Sequence, residues 1–129
     1  MNLVNKNVGS AAWETLLAGN FPVKTRTITL KKPSKEVLFG SAIGLATADK
    51  KGALVSKAAS DGTEKVYGIL LHDVAVADAD VPAVVAVTGE FVQDHIIFAD
   101  GTKADDVRLQ AEDRNIYFRK LVNVDKGEE

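Results

Sequence analysis

The chain has no cysteine, two histidines and one tryptophan among its 129 residues. Without thiols there is neither a disulfide framework nor a thiolate nucleophile. Two histidines leave little for a metal centre, which needs about three or four converging donors. No apolar run approaches the roughly 20 residues of a helical membrane span. The opening ten residues, MNLVNKNVGS, hold one lysine and no apolar stretch of the secretory kind. An intracellular product with no membrane partner is therefore expected. Aromatic residues make up only 6% of the chain, too few for a broad stacking platform.

What is present is an ordinary globular mixture, 46% hydrophobic and 26% charged. A domain of this length buries roughly 60–70% of its unfolded surface, enough for a true core. The net charge of −2 is unevenly spread. Residues 1–36 carry six basic side chains against two acidic ones, and residues 37–129 carry ten against sixteen. A basic leading segment on an acidic body can steer the two parts toward different surfaces. With a pI near 5.7 the chain lacks the basic face of a nucleic-acid module, and no nucleic-acid partner is expected.

Two textures divide the chain, and they set the expected boundary between an arm, residues 1–22, and a β-rich domain, residues 23–129. In the arm, Trp13, Leu16 and Leu17 stand at i, i+3, i+4, one face of a short helix capped by Ser10 and ended by Gly19. So short a helix is marginal alone, so its apolar face needs a receiver. Trp13 serves either as core or as a docking anchor. The stretch PVKTRTITL, residues 22–30, is dense in β-branched residues with neither face cleanly apolar, as in an edge strand.

From residue 37 onward the pattern is mainly β. VLFGSAIGLAT, residues 37–47, alternates large and small side chains, and the small face of Gly40, Ala42 and Gly44 admits another backbone, within the protomer or between protomers. Residues 66–71 and 82–88 predict short buried strands, with Pro82 harmless at a strand's first position. Between them the Ala/Asp segment of residues 75–80 is a surface connection. DHIIFADG, residues 94–101, predicts another strand and turn. Residues 102–113 have the one helical pattern here, with Thr102 as cap, and residues 115–122 a last strand.

The ordered blocks VLFGSAIG, ASDGTEKVYGILLHDV, AVVAVTGEF and HIIF resemble the bacteriophage head decoration protein family of the lambda type, over about residues 20–122. The resemblance implies a small β-clip or β-tulip-like domain with one or two short helices and an extended N-terminal arm. It implies no enzyme and no cofactor. It implies a cement protein, made in the host cytoplasm, that binds as a homotrimer on the outer surface of the expanded phage head, at three-fold and quasi-three-fold positions. The partner implied is the major capsid protein, met by body contacts and by β-augmentation from the arm. The capsid-binding residues expected on that basis are Trp13, Leu16, Leu17, Phe21, Val23, Lys24, Thr25, Arg26, Thr27, Ile28, Thr29 and Leu30. A segment unstable alone followed by an edge-type strand is what such docking requires.

Other chemistries compete poorly. His72-Asp73 and Asp94-His95 are the pairings with a catalytic flavour, but neighbours on a strand point to opposite faces and do not converge. Two histidines with scattered carboxylates lack metal-ligand spacing. GSAIGLAT has two glycines without the lysine of a phosphate-binding loop. The alternative function is a virion-displayed receptor- or glycan-binding β module, which clustered exposed aromatics would favour.

Overall fold

The computed structural model describes residues 16–18 and 21–120. Six strands form in chain order: β1 (Lys24–Leu30), β2 (Ala42–Leu45), β3 (Gly52–Leu54), β4 (Gly68–Leu70), β5 (Val81–Val92) and β6 (Ile116–Arg119). A 3-10 turn (Gln93–His95) follows β5, and a helix, α1 (Ala104–Glu112), precedes β6. The hydrogen-bonded order β1-β3-β2-β4-β5 returns to β1, so five strands close into a small barrel. The chain is mainly β, as its β-branched and alternating stretches predict.

Closure rests on β5, which is long enough for two tasks. Its first part lies antiparallel to β1, from Leu30↔Val81 to Lys24↔Thr88, and to β4 on its other side. Its last four residues leave the barrel and pair in parallel with β6, Gly89↔Ile116 through Val92↔Arg119. The change of partner falls at Gly89, whose φ of +148° suits glycine alone and whose added Cβ would lie 2.8 Å from the Phe91 ring. A bulge between Lys24 and Thr25 meets the same bend from the β1 side.

Strand alternation sorts the apolar residues into two cores. Ile28, Leu30, Ile43, Leu70, Ala83 and Val85 fill the barrel. Ala42, Ile69, Ala86 and Phe91 face outward and are covered by α1 and β6 through Val107, Ala111, Ile116 and Phe118. Ile69 and Leu70 are adjacent yet both fully buried, one in each core. That is why residues 66–71 and 82–88 form continuous apolar runs: both faces of those strands are covered.

The helix obeys its expected periodicity, with Ala104, Val107 and Ala111 buried and Leu109 exposed. Its cap is Lys103, not Thr102. Lys103 donates its N–H to Asp106 Oδ2 at 2.7 Å, whereas the buried Thr102 hydroxyl accepts Lys57 N–H at 2.9 Å. The helix ends at Glu112, and Asn115, with a φ of +66°, turns the chain into β6.

Two expected strands are shorter. Residues 37–47 yield only β2, because the chain turns at Phe39 and Gly40, with Ser41 N–H donating to Leu38 O. Residues 94–101 make a 3-10 turn and one bridge, Ser41↔Ile97, instead of a strand. The small face of β2 packs within the protomer. A Cβ on Gly44 would stand 2.5 Å from Lys65 O and 2.8 Å from Thr63 Cα, so the loop of residues 61–65 crosses directly over it. The predicted helix around Trp13 lies outside the described residues except at its end.

Candidate interaction surface

The hydrogen-bond phase of β5 decides which side of β1 is free. Val84 turns both backbone groups away from β1: its N–H donates to His72 Nε2 at 2.9 Å and its carbonyl accepts Leu71 N–H at 3.0 Å. Thr27, directly opposite Val84, therefore occupies a non-hydrogen-bonded site, and its own N–H and C=O point away from β5. The two-residue period gives Thr25 and Thr29 the same direction. Beyond them β1 meets β3 at one register, Leu30↔Gly52, where Lys31 N–H donates to Gly52 O at 2.9 Å. Over residues 24–28 the outer side of β1 is thus an open edge among the described residues. Residues 24–27 are exposed, with Lys24 and Arg26 supplying positive charge.

The same phase accounts for Pro82. It stands two residues before Val84, so its nitrogen faces away from β1 and the barrel loses no ladder bond.

Directly upstream, the chain is fastened to the body. Leu16 is 1% exposed and belongs to the outer core, against the same cluster as Phe91. Leu17 makes an antiparallel bridge with Phe91, and Ala18 N–H donates to Glu90 O at 2.9 Å. Phe21 sets its ring edge-on to Tyr117 at 5.3 Å. The Glu90 carboxylate accepts Phe21 N–H at 3.4 Å and pairs with Arg119 Nη2 at 2.8 Å. Thr88 joins root and strand at the bulge, accepting Lys24 N–H at 3.1 Å and donating to Pro22 O at 2.9 Å.

The residues expected to dock therefore fall into distinct places. Leu16, Ile28 and Leu30 are buried in the protein's own cores, and Leu17 and Val23 lean on the outer one. Phe21 is half-buried, and Lys24, Thr25, Arg26, Thr27 and Thr29 line the exposed strand. Trp13 lies outside the described residues. Glu90, Thr88 and Tyr117, which receive the root, are between 66 and 96 positions away in sequence, and no local pattern marks them.

Electrostatics brace the other end of β1. Lys51 Nζ pairs with Asp80 Oδ2 at 2.6 Å, and Asp80 Oδ1 accepts Lys32 N–H at 2.7 Å. The Lys51 hydrogen bond, then the Lys32 N–H, hold the Asp80 carboxyl below its ordinary value of 3.8, and Lys51 is raised above 10.5 by the same pair.

The histidines do not assemble a reacting centre. His72 Nε2 is occupied by Val84 N–H and its Nδ1 lies 3.2 Å from Asp73 O, while the Asp73 carboxylate accepts Phe39 N–H at 2.7 Å. His95 sits in the 3-10 turn after β5. Among the described residues no group of three or more metal-ligating side chains converges.

Comparison with known proteins follows the same direction as the geometry. The family model described as bacteriophage lambda head decoration protein D matches residues 11–116. No curated protein matches the chain.

Proposed function

From the premise that this chain belongs to the bacteriophage lambda head decoration protein family, and so decorates a phage capsid, we propose that it acts as a trimeric cement. Three copies bind at three-fold and quasi-three-fold positions of the expanded head, on its outer surface. The body covers the joints between shell subunits, and the arm with the open side of β1 adds to β-structure of the major capsid protein. The role is structural, without catalysis.

The observation that carries this reading is the open edge of β1 immediately after an anchored root. Thr25 and Thr27 present backbone groups outward, a template for strand addition. Each added backbone hydrogen bond is worth roughly 0.5–1.5 kcal/mol net, so a short edge alone binds weakly. Three linked edges and arms raise the effective concentration at the shell without new contacts. Leu16 and Leu17 act as the rivet that holds the root to the body. Binding only to the assembled lattice stabilises that lattice by mass action.

The test is co-sedimentation with undecorated, expanded heads. Removal of residues 1–15 spares Leu16 and is expected to weaken binding while leaving the fold unchanged. Thr27→Pro removes an outward N–H that β5 does not use, so it is expected to reduce binding without loss of β-structure. Saturation at three copies per three-fold site supports the trimer, and undiminished binding by both variants refutes the role of arm and edge.

A further inference from the structure

Asp-Gly occurs twice in the chain, at residues 61–62 and 100–101, and the fold holds the two junctions in opposite ways. The pairing has a chemistry of its own: with no Cβ on glycine, its amide nitrogen can approach the carboxyl carbon of the preceding side chain. Attack there closes a five-membered succinimide, the nitrogen losing its hydrogen and the carboxyl its hydroxyl, so that one water leaves. Water then reopens the ring at either carbonyl. One opening restores aspartate, and the other leaves isoaspartate, whose backbone runs through the side chain and is one carbon longer. No oxidant, reductant or cofactor enters.

At Asp61 both reacting groups are engaged. Its Oδ1 accepts the Thr63 hydroxyl at 2.6 Å and Thr63 N–H at 3.0 Å, while Gly62 N–H donates to Glu64 Oε1 at 2.8 Å. The Thr63 hydroxyl, then its N–H, hold the carboxyl below the ordinary value of 3.8, in the ionised form that resists attack. Space is closed as well, since a Cβ on Gly62 would stand 2.6 Å from Leu45 O.

At Asp100 neither group is held. The turn is fastened at its two ends, where Ala99 N–H donates to Val55 O and Thr102 N–H to Ala99 O, each at 3.0 Å. Between them Asp100 and Gly101 are exposed, and Gly101, at φ +83° in the third position of the turn, has nothing within 4 Å of an added Cβ. Neither the Asp100 carboxylate nor Gly101 N–H has a partner among the described residues. We propose that Asp100 is a site of spontaneous isoaspartate formation, the point at which the folded protein ages, and that the turn at Asp61 protects the other junction. The extra carbon enters two residues before Thr102, whose hydroxyl accepts Lys57 N–H, so conversion loosens that bond.

The test is incubation of the full chain at neutral pH and physiological temperature. Electron-transfer fragmentation locates isoaspartate, and enzymatic methylation of isoaspartyl carboxylates counts it. The same chain in concentrated urea gives each junction's rate without the fold. Comparable rates are expected in urea, whereas in the folded protein Asp100 keeps close to its urea rate and Asp61 slows severalfold. Asp100→Glu is expected to remove most of the methylation, because glutamate would need a six-membered ring. Glu64→Ala and Thr63→Val, each with unchanged circular dichroism, are expected to raise the Asp61 rate, and Lys57 amide exchange is expected to quicken in the converted fraction. Equal rates at the two junctions of the folded protein, or a faster Asp61, overturn the proposal. A folded Asp100 rate no higher than that of Asp78-Ala79 overturns it too, and an Asp61 rate unmoved by both variants refutes the protection.

Discussion

Leu16 offers the sharpest division between a residue that serves the protein's own core and one that serves a partner. It is 1% exposed in the outer core with the fully buried Phe91. Leu16→Ala removes buried methyl groups and leaves a cavity between β5 and its covering elements. Leucine-to-alanine changes at such sites cost about 2.7–5 kcal/mol, and about 3 kcal/mol is expected here. For a domain of this size each kcal/mol moves the melting temperature by roughly 3–6 °C, so a fall of about 10–15 °C is expected. Urea unfolding followed by circular dichroism reads the same loss as a lower midpoint at unchanged slope. Trp13→Ala is the paired control, expected to weaken attachment to heads while leaving the midpoint in place. A Leu16→Ala midpoint shift equivalent to less than about 1 kcal/mol would refute the assignment, because a core leucine cannot be removed so cheaply.

Other positions give equally direct tests. Gly44→Ala drives a Cβ against the Lys65 carbonyl and the Thr63 backbone, neither of which is a movable side-chain end. A loss of at least about 2 kcal/mol in chemical unfolding is expected, comparable to overpacking elsewhere. Arg108 donates to Phe118 O at 2.5 Å and to Asp105 at 2.9 Å, and also bonds Gln93, tying α1 to the ends of β5 and β6. Arg108→Met is expected to cost about 1.5–3 kcal/mol and to speed amide exchange in β6. Asp80 has its folded pKa depressed below 3.8, so its contribution stands above that value and is lost as pH falls through the folded value. Lys51 is raised above 10.5, so its contribution stands below that value and is lost as pH rises through the folded one. Asp80→Asn is expected to flatten the thermal midpoint against pH on the acid side, with the parent and variant curves converging in strong acid. Parallel curves would show that the Lys51 pair plays no part.

Much of the fold is written in local pattern. The β-branched run of residues 24–30, the two apolar stretches that become β4 and β5, and the helical spacing of Val107 and Ala111 are all visible as periodicity. The strand expected at residues 94–101 fails because nothing in a short apolar run distinguishes a strand from a 3-10 turn followed by a single bridge. The Thr102 cap fails by one position, since the buried hydroxyl is engaged by Lys57 from a distant loop. The family itself was legible from the order of blocks, and the family model matches residues 11–116.

Sequence alone determined the mainly β character, the basic leading segment and the absence of thiol chemistry, since these follow from residue type and spacing along one chain. Only the tertiary structure decided which side of β1 stays open, because that depends on the phase in which β5 spends its hydrogen bonds on His72 and Leu71. Only it showed that Leu16 is a core residue and that Gly44 receives the loop of residues 61–65. Each of these is a meeting between positions many residues apart, and a contact formed across such a distance leaves no period in the chain for a reader to find.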